Sequence, residues 1–244
     1  MINLDKEPTK PDSKIDRKKA EEETEKLKEK LSDLQNVLYA EHKHSLLVIL
    51  QGTDASGKDG TVKHVFSSTN PMGVNVKAFK APTEEESEYD FLWRVHKYTP
   101  AKGMIQIFNR SHYEDILVPT VHKLFDKDTI ERRYDIINSF EQNLVDSGTV
   151  ILKFFLNISK AEQKERIGER LTKQSKKWKY DPADKRELHH WDEYMKVYEK
   201  IFDKCSSKIP WIIVPADSKW YRNYVVAKEM VKTLESLKMK YPSL

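Results

Sequence analysis

Residues 46–61 read LLVILQGTDASGKDGT, a short apolar run followed at once by a glycine-rich loop. The apolar run has the length of a buried strand, and the loop fits the spacing G-x-x-x-x-G-K that ends at Lys58. Three of the seven glycines of the chain fall between residues 52 and 60, which indicates unusual backbone geometry there. Strand, loop and helix in this order predict a phosphate-binding loop, because inward-turned N–H groups and the positive end of a helix dipole attract anions. The residues predicted to hold the phosphates are Gly52, Ala55, Ser56, Gly57, Lys58, Gly60 and Thr61.

Two carboxylates, Asp54 and Asp59, accompany the lysine of this loop. A standard phosphate-binding loop has a serine or threonine directly after the lysine, where it holds Mg²⁺, and Asp59 stands in that position here. Since two carboxylates would repel bound phosphates unless a cation lies between them, we predict that Asp54 and Asp59 hold Mg²⁺, with Mn²⁺ as a substitute. The alternatives are that Asp59 stabilises the start of the helix and that Asp54 forms an Asx turn.

Strands and helices alternate along the chain from residue 46 onward. The hydrophobic patterns predict strands at 46–51, 74–79, 104–108, 149–156 and 211–214. Helices are predicted at 58–68, 83–98, 129–147, from 160 onward, 184–205 and 219–240, with a mobile basic loop at 173–185. This alternation is typical of a three-layer α/β fold with a parallel sheet, which binds ligands at the carboxyl ends of its strands. We predict one domain from residue 15 to residue 244, preceded by a mobile tail at 1–14.

A leucine stripe lies ahead of the first strand. Leucines 27, 31, 34 and 38 are spaced as one face of an amphipathic helix over 15–40, and its other faces are charged. Two interpretations stay open: the helix packs on its own domain, or it forms a contact between subunits.

A second polar segment, NRSHYED at 109–115, directly follows the strand at 104–108. Arg110 would leave the sheet at the ligand-binding edge, where a planar guanidinium suits phosphate oxygens. Asn109 stands where an enzyme with such a loop usually has a metal-organising aspartate. Glu114 and Asp115 either begin the next helix or touch the metal, and His112 is interpreted as structural.

Composition narrows the function classes. The 244 residues carry 43 Lys and Arg against 39 Asp and Glu, a net charge of +4, which permits an anionic partner without requiring nucleic acid. One cysteine excludes an intrachain disulfide. With no signal-like segment and no apolar run long enough to span a bilayer, we expect a cytoplasmic protein without a membrane partner.

Four segments together resemble the family 2 polyphosphate kinases, in the subgroup that accepts nucleoside mono- and diphosphates. These segments are GTDASGKDGT at 52–61, FKAPTEEE at 79–86, FNRSHYED at 108–115 and PADSKWYRN at 215–223. The resemblance implies the three-layer P-loop kinase fold, of the thymidylate kinase type, with a helical lid at about 166–185 and an N-terminal helix.

The resemblance also implies roles for individual residues. Asp54, Lys58 and Asp59 would handle Mg²⁺ and the phosphates, and Asn109 with Arg110 would form the second catalytic motif. Further positions would bind substrate or belong to the lid and its flank, namely Lys80, Arg133, Arg166, Lys176, Lys179 and Asp192.

The implied reaction is direct, reversible transfer of the terminal phosphate of inorganic polyphosphate to ADP or AMP. A long polyanion needs cations beyond the loop, and the lysines and arginines between 63 and 102 either supply them or are ordinary surface residues. The expected partners are polyphosphate and the purine nucleotides ADP, AMP, ATP, GDP and GMP. A homo-oligomer, either a dimer or a tetramer, is expected from the leucine stripe at 27–38. The alternatives are an ATP-dependent nucleoside or nucleotide kinase, a nucleotide-binding switch and a nucleic-acid-binding ATPase.

Overall fold

A computed structural model describes residues 2–178 and 181–243, apart from the side chains of 183–185. In these residues five strands form one parallel sheet with the order β2-β3-β1-β4-β5. The strands are β1 (Ser45–Gln51), β2 (Val74–Ala78), β3 (Ile105–Asn109), β4 (Thr149–Asn157) and β5 (Trp211–Pro215). The predicted parallel α/β fold is confirmed.

The register of the sheet brings the two predicted site segments to one edge. Leu50 of β1 lies opposite both Asn109 of β3 and Phe154 of β4. The glycine loop after β1 and the polar segment after β3 therefore leave the sheet side by side, at the carboxyl ends of adjacent strands.

Helices cover both faces of the sheet. They are α1 (Arg17–Glu41), α2 (Lys58–Val65), α3 (Glu84–Ser87), α4 (Trp93–His96), α5 (Glu114–Val121), α6 (Lys127–Asp146), α7 (Lys160–Thr172), α8 (Gln174–Lys177), α9 (Pro182–Glu187), α10 (Trp191–Lys204) and α11 (Lys219–Ser236). Successive residues of β1 alternate between two apolar cores: Leu47 and Ile49 pack with α5, α6 and α10, whereas Leu46, Val48 and Leu50 pack with α1, α2 and α11. Three layers result, because each face of the sheet buries its own set of side chains.

The leucine stripe of α1 packs within the chain. Leu31 and Leu38 are fully buried in the core beneath α11, and Leu27 and Leu34 are partly buried beside them. This placement agrees with the first of the two interpretations, while the homo-oligomer stays a prediction.

The helix predicted at 83–98 is interrupted, and that prediction is wrong in its middle. A capping box of Thr83 and Glu86 begins the helix at the predicted residue, but α3 ends at Ser87 and α4 begins at Trp93. Asp90 explains the break, because its side chain accepts the N–H of Leu92 at 2.9 Å and its carbonyl accepts the N–H of Trp93 at 3.0 Å. An aspartate that binds nearby backbone groups in this way favours a turn over a continuous helix.

Two segments, one in the predicted lid and one near the N-terminus, are more ordered than the sequence indicated. The stretch 173–185, predicted as a loop, contains α8 and the first part of α9. Residues near the N-terminus, predicted as a mobile tail, lie against the domain: Leu4 is buried, its N–H donates to Glu199 at 2.8 Å, and Thr9 Oγ1 donates to Asp217 at 2.9 Å. The difference arises because one apolar side chain and a few hydrogen bonds anchor a segment whose composition alone looks disordered.

The helices in the described residues include none that combines the length and the apolar character needed to cross a bilayer.

Candidate active site

The glycine loop after β1 has the geometry of an anion cradle. Gly52 has φ +147°, and a Cβ there would lie 2.8 Å from Ser56 Oγ and 2.9 Å from the carbonyl oxygen of Leu156. Gly57 has φ +105°, and a Cβ there would lie 1.9 Å from Nη1 of Arg222. Both positions therefore need glycine for conformation and for space. Ser56 and Thr61 are fully buried beneath the loop, and Ala55 between the glycines is left-handed at φ +61°.

Lys58 begins α2 and turns its amine back over the loop. Nζ donates to the carbonyl oxygens of Gly52 at 2.6 Å and Thr53 at 3.1 Å. Burial, together with the positive charge of Arg110, lowers the pKa of Lys58 to about 8. A lysine held in this way can exchange its carbonyl partners for the oxygens of a phosphate bound in the loop.

Arg110 and Asp54 join the two strand ends. Arg110 Nη2 donates to Asp54 Oδ1 at 2.5 Å. Burial alone would raise the pKa of Asp54, but the charges of Arg110 and Lys58 outweigh it and hold that pKa below its ordinary value. Burial opposes the charge on Arg110, yet Glu114 and Asp54 raise its pKa above the ordinary value. The pair is therefore ionised at neutral pH, with a guanidinium facing the loop.

Asn109 at the end of β3 and Asp59 in the first turn of α2 form a second link between the two site segments, since Asn109 Nδ2 donates to Asp59 Oδ1 at 2.7 Å. The amide thus orients the carboxylate that follows the loop lysine. Within residues 2–178 and 181–243 no cluster of three or more His, Cys, Asp or Glu forms a ready-made metal cage. Two carboxylates beside a phosphate cradle nonetheless fit Mg²⁺, which is typically bound by one or two carboxylates together with substrate phosphates and water.

A cleft of about 650 Å³ opens from the loop and Arg110 toward α5 and α10. The polar part of its lining combines the cations Lys80, Arg94, Arg110 and Arg133 with the carboxylates Asp54, Glu86, Glu114, Asp115, Asp181 and Glu187. The apolar part includes Phe79, Tyr89, Phe91, Leu117, Val118, Leu124 and Phe125. Leu124 and Phe125 are 59% and 49% exposed, so this apolar wall faces solvent. The arrangement suits a ligand that joins a flat apolar group to an anion.

Two arginines of the cleft have different surroundings. The guanidinium of Arg133 lies 4.9 Å from the ring centre of Phe91 and 4.3 Å from that of Phe125, and it also donates to the carbonyl of Asp115. Arg94 is buried and donates to Asp115 Oδ2 at 3.0 Å and to the carbonyl of Lys80 at 2.8 Å. Arg94 therefore shapes the cleft wall, whereas Arg133 presents its charge between two aromatic rings.

Arg166 lies beneath the loop. Its Nη1 donates to the carbonyls of Ala55 and Ser56, each at 3.0 Å. Its Nη2 donates to the carbonyls of Ala216 at 2.8 Å and Asp217 at 2.9 Å, and Nε donates to Glu162 at 2.7 Å. All five donors are engaged within the chain, so this side chain ties the loop to the connection between β5 and α11.

Of the remaining predicted residues, Lys176 and Asp192 lie apart from the cleft. Lys176 pairs with Glu169, and Asp192 accepts from Lys160 at 3.1 Å; neither lines the cleft wall. Lys179 lies outside the described residues. Lys80 is exposed on the cleft rim, as a substrate-binding residue requires.

Arg222 is a site residue that the sequence did not single out. The residue is 2% exposed, and its guanidinium packs against Gly57 and Gly60. Asn223 Oδ1 is the one side-chain acceptor bound to Arg222 in the described part of the chain, at 2.9 Å from Nη2. Burial and the neighbouring Arg166 lower the pKa of Arg222 to about 10. The segment PADSKWYRN contains this arginine, but its spacing from the loop carries no signal of contact.

Comparisons with known proteins agree with this geometry. The family model described as Polyphosphate kinase 2 (PPK2) matches residues 14–242. An AMP/ADP-polyphosphate phosphotransferase of Meiothermus ruber is 48% identical over 217 residues, covering 88% of this chain and 81% of its own. An ADP-polyphosphate phosphotransferase of Rhodopseudomonas palustris is 42% identical, covering 99% of this chain and 88% of its own. The crystal structure of polyphosphate kinase 2 from Arthrobacter aurescens TC1 superposes with a TM-score of 0.96 at 41% identity, covering 100% of this chain and 88% of its own.

Proposed function

The chain belongs to the polyphosphate kinase 2 family, and we propose that it transfers the terminal phosphoryl group of inorganic polyphosphate to both AMP and ADP, and back. It is a phosphotransferase that phosphorylates nucleotides with polyphosphate. The observation that carries the choice of acceptors is the cleft beside the phosphate cradle, which holds Arg110 and Lys80 at the cradle side and Arg133 between two aromatic rings. The names of the two relatives support the same choice, since one names AMP and ADP and the other ADP.

The two substrates approach the transferring phosphoryl group from opposite sides. The polyphosphate end lies in the loop, where backbone N–H groups, Gly57 and Lys58 surround it. The nucleotide lies in the cleft, with its phosphates near Arg110 and Lys80 and its base near Arg133. In-line transfer needs this opposition, because the bond to the donor breaks as the bond to the acceptor forms.

Catalysis in this arrangement is positioning and charge neutralisation. The acceptor phosphate oxygen is already anionic, so no covalent intermediate on the protein is needed. Lys58 and Arg110 stabilise the charge on the transferring oxygens, and Asp54 fixes the orientation of Arg110 through the 2.5 Å contact.

Asp54 and Asp59 are the residues that would hold Mg²⁺ or Mn²⁺, with Asn109 orienting Asp59. When bound, the ion neutralises phosphate charge and offsets the repulsion from the two carboxylates. Residues at about 166–185, Lys176 and Lys179 among them, would close over the polyphosphate and exclude water, which is a competing acceptor. We also expect guanine nucleotides as acceptors and a cytoplasmic homo-oligomer, either a dimer or a tetramer.

The test is donor choice. The purified protein, with Mg²⁺, is incubated with polyphosphate and either AMP or ADP as the sole nucleotide, and the products are separated by anion-exchange chromatography. ADP should form from AMP, and ATP from ADP. The control variant Lys232→Ala changes a lysine that is 73% exposed on α11 and pairs with Glu229. It should form the same products as the unmodified protein. Product formation only when a nucleoside triphosphate is added would instead identify an ATP-dependent kinase.

A further inference from the structure

A fully buried ionic network lies behind the second site segment. Lys153 of β4 is completely buried, and its Nζ donates to Glu141 Oε2 at 2.7 Å, to Tyr113 Oη at 3.0 Å and to the carbonyl of Cys205 at 2.6 Å. Glu141 of α6 accepts from Tyr113 Oη at 2.9 Å, and its Oε1 lies 3.2 Å from His112 Nε2. Every donor of the lysine is used, and the carboxylate binds two consecutive residues of one loop.

The charges of this network are maintained within the core. Burial would raise the pKa of Glu141, but His112 and Lys153 outweigh burial and hold it below its ordinary value. Burial and the Glu141 charge raise the pKa of Tyr113, so its hydroxyl stays protonated and can donate. A buried ion pair is weak evidence for stability, because desolvation opposes the attraction between the charges. Its presence here calls for another role.

The loop that the network holds is the one that carries Arg110. Residues 110–113 connect β3 to α5, and Ser111, His112 and Tyr113 are all fully buried. On the sheet side, the N–H of Arg110 donates to the carbonyl of Leu50 at 3.0 Å. On the other side, the side-chain anchors of the loop are Glu141 and Lys153.

Arg110 itself has a backbone conformation that its surroundings must impose. Its φ is +61°, in the left-handed region that a non-glycine residue adopts only at a cost. Such a conformation persists where the neighbouring structure over-determines it, and it is concentrated at functional sites. The anchors at Leu50 and at the buried network hold the two sides of this strained residue.

We propose that Glu141 and Lys153 are positioning residues for Arg110, acting through Tyr113 and His112, and that they set the rate of phosphoryl transfer. The proposal rests on the proposed role of Arg110 in transfer. It assigns a function to four buried polar side chains that do not line the cleft.

Two sets of substitutions test the network. Tyr113→Phe removes the hydroxyl that links the loop to the pair and leaves the pair intact. Glu141→Leu combined with Lys153→Met removes both charges of the ion pair together, so that neither of the two stays buried without the other. Tyr134→Phe is the matched control, because Tyr134 is also a buried tyrosine in the α6 core and its hydroxyl has no hydrogen-bond partner among the described residues. Each is made with Arg110 present and in an Arg110→Ala background.

The readouts are kcat and KM for ADP with saturating polyphosphate, on samples whose circular dichroism and melting curve show a folded protein. With Arg110 present, we expect the charge-pair variant to lose about 10- to 100-fold in kcat, the scale of a misplaced catalytic group. Tyr113→Phe should lose less, KM for ADP should change by less than about threefold, and Tyr134→Phe should match wild type. In the Arg110→Ala background the network variants should cause almost no further loss.

Three results would overturn the inference, and they are distinguishable. Equal fold-losses in both backgrounds would mean that the network acts independently of Arg110. Wild-type kcat with a lower melting temperature alone would mean a purely structural network. If Arg110→Ala alone retains wild-type kcat, the proposed role of Arg110 fails and the positioning role fails with it. Should the charge-pair variant not fold, Tyr113→Phe decides by itself.

Discussion

Replacing Gly57 by alanine should destabilise the protein and weaken the phosphate loop. Alanine at φ +105° carries a left-handed penalty of about 1–2 kcal/mol. Its Cβ would also lie 1.9 Å from Arg222 Nη1, and overpacking of this kind costs about 1–3 kcal/mol. The guanidinium cannot easily move aside, because Arg222 is 2% exposed and is enclosed by the protein. We expect the free energy of unfolding to fall by about 2–5 kcal/mol in total.

Two other glycines provide matched controls. Gly60 lies inside α2, and a Cβ there would be 3.2 Å from Arg222 Nη2, a contact that a small shift can relieve. Gly168 lies inside α7, and a Cβ there would meet nothing within 4 Å. Because alanine is the better helix former, Gly168→Ala should stabilise the protein by about 0.5–1 kcal/mol. Gly60→Ala should fall between the other two variants.

The assay is urea unfolding followed by circular dichroism, together with the melting temperature. For a chain of this length, the Gly57→Ala penalty corresponds to a fall in Tm on the order of 10 °C. KM for polyphosphate should rise as well, because the loop cannot keep its conformation. A Tm within about 2 °C of wild type, or the same loss in Gly57→Ala and Gly168→Ala, would refute both the clash and the strain.

Three further predictions concern the chemistry of the site. Lys58→Ala should lower kcat by about 10²–10³-fold with an unchanged circular dichroism spectrum, since a charge partner of the transferring group is lost; full turnover of polyphosphate and ADP would contradict this. The pKa of Lys58 is lowered to about 8, and the protonated amine is the form that donates to phosphate. We therefore expect kcat/KM for polyphosphate to decline as the pH rises through that value. A pH profile that stays level to about pH 10, near the pKa of an ordinary lysine, would contradict this expectation. Arg133→Ala should raise KM for AMP and ADP by about 10-fold while KM for polyphosphate stays unchanged, because a charged group held between Phe91 and Phe125 is lost. Steady-state kinetics with each substrate varied in turn measure both constants. A higher KM for polyphosphate with an unchanged KM for the nucleotides would contradict this prediction.

The first strand, the glycine loop and the start of the next helix could be predicted because the residues that determine them are adjacent in the sequence. The run 46–61 contains a buried strand, a glycine loop and a helix start in direct succession, and the structure places all three as predicted. His112, interpreted as structural, is fully buried and lies beside Glu141. Strands and helices of this kind are predictable because backbone propensity and the burial of one face depend on residues that are close together in the sequence.

Where local signals competed, the sequence was less informative. The start of the helix predicted at 83–98 is confirmed at Thr83, but the turn at Asp90 ends α3 early. The N-terminal segment looked disordered by composition, yet the burial of Leu4 is a long-range contact that composition does not register.

Residues 52–61 and 109–115 already indicated a phosphate site, because a phosphate cradle is built from backbone N–H groups of one continuous loop. Three features needed the tertiary structure: Arg222 against Gly57, Arg166 beneath the loop, and the Glu141–Lys153 pair behind Arg110. In each of them a charged side chain meets a partner far away in the chain or in another layer of the fold. Which charged side chains come into contact depends on how the helices pack across a sheet of fixed register. The spacing of two residues along the chain does not encode their distance in the folded protein.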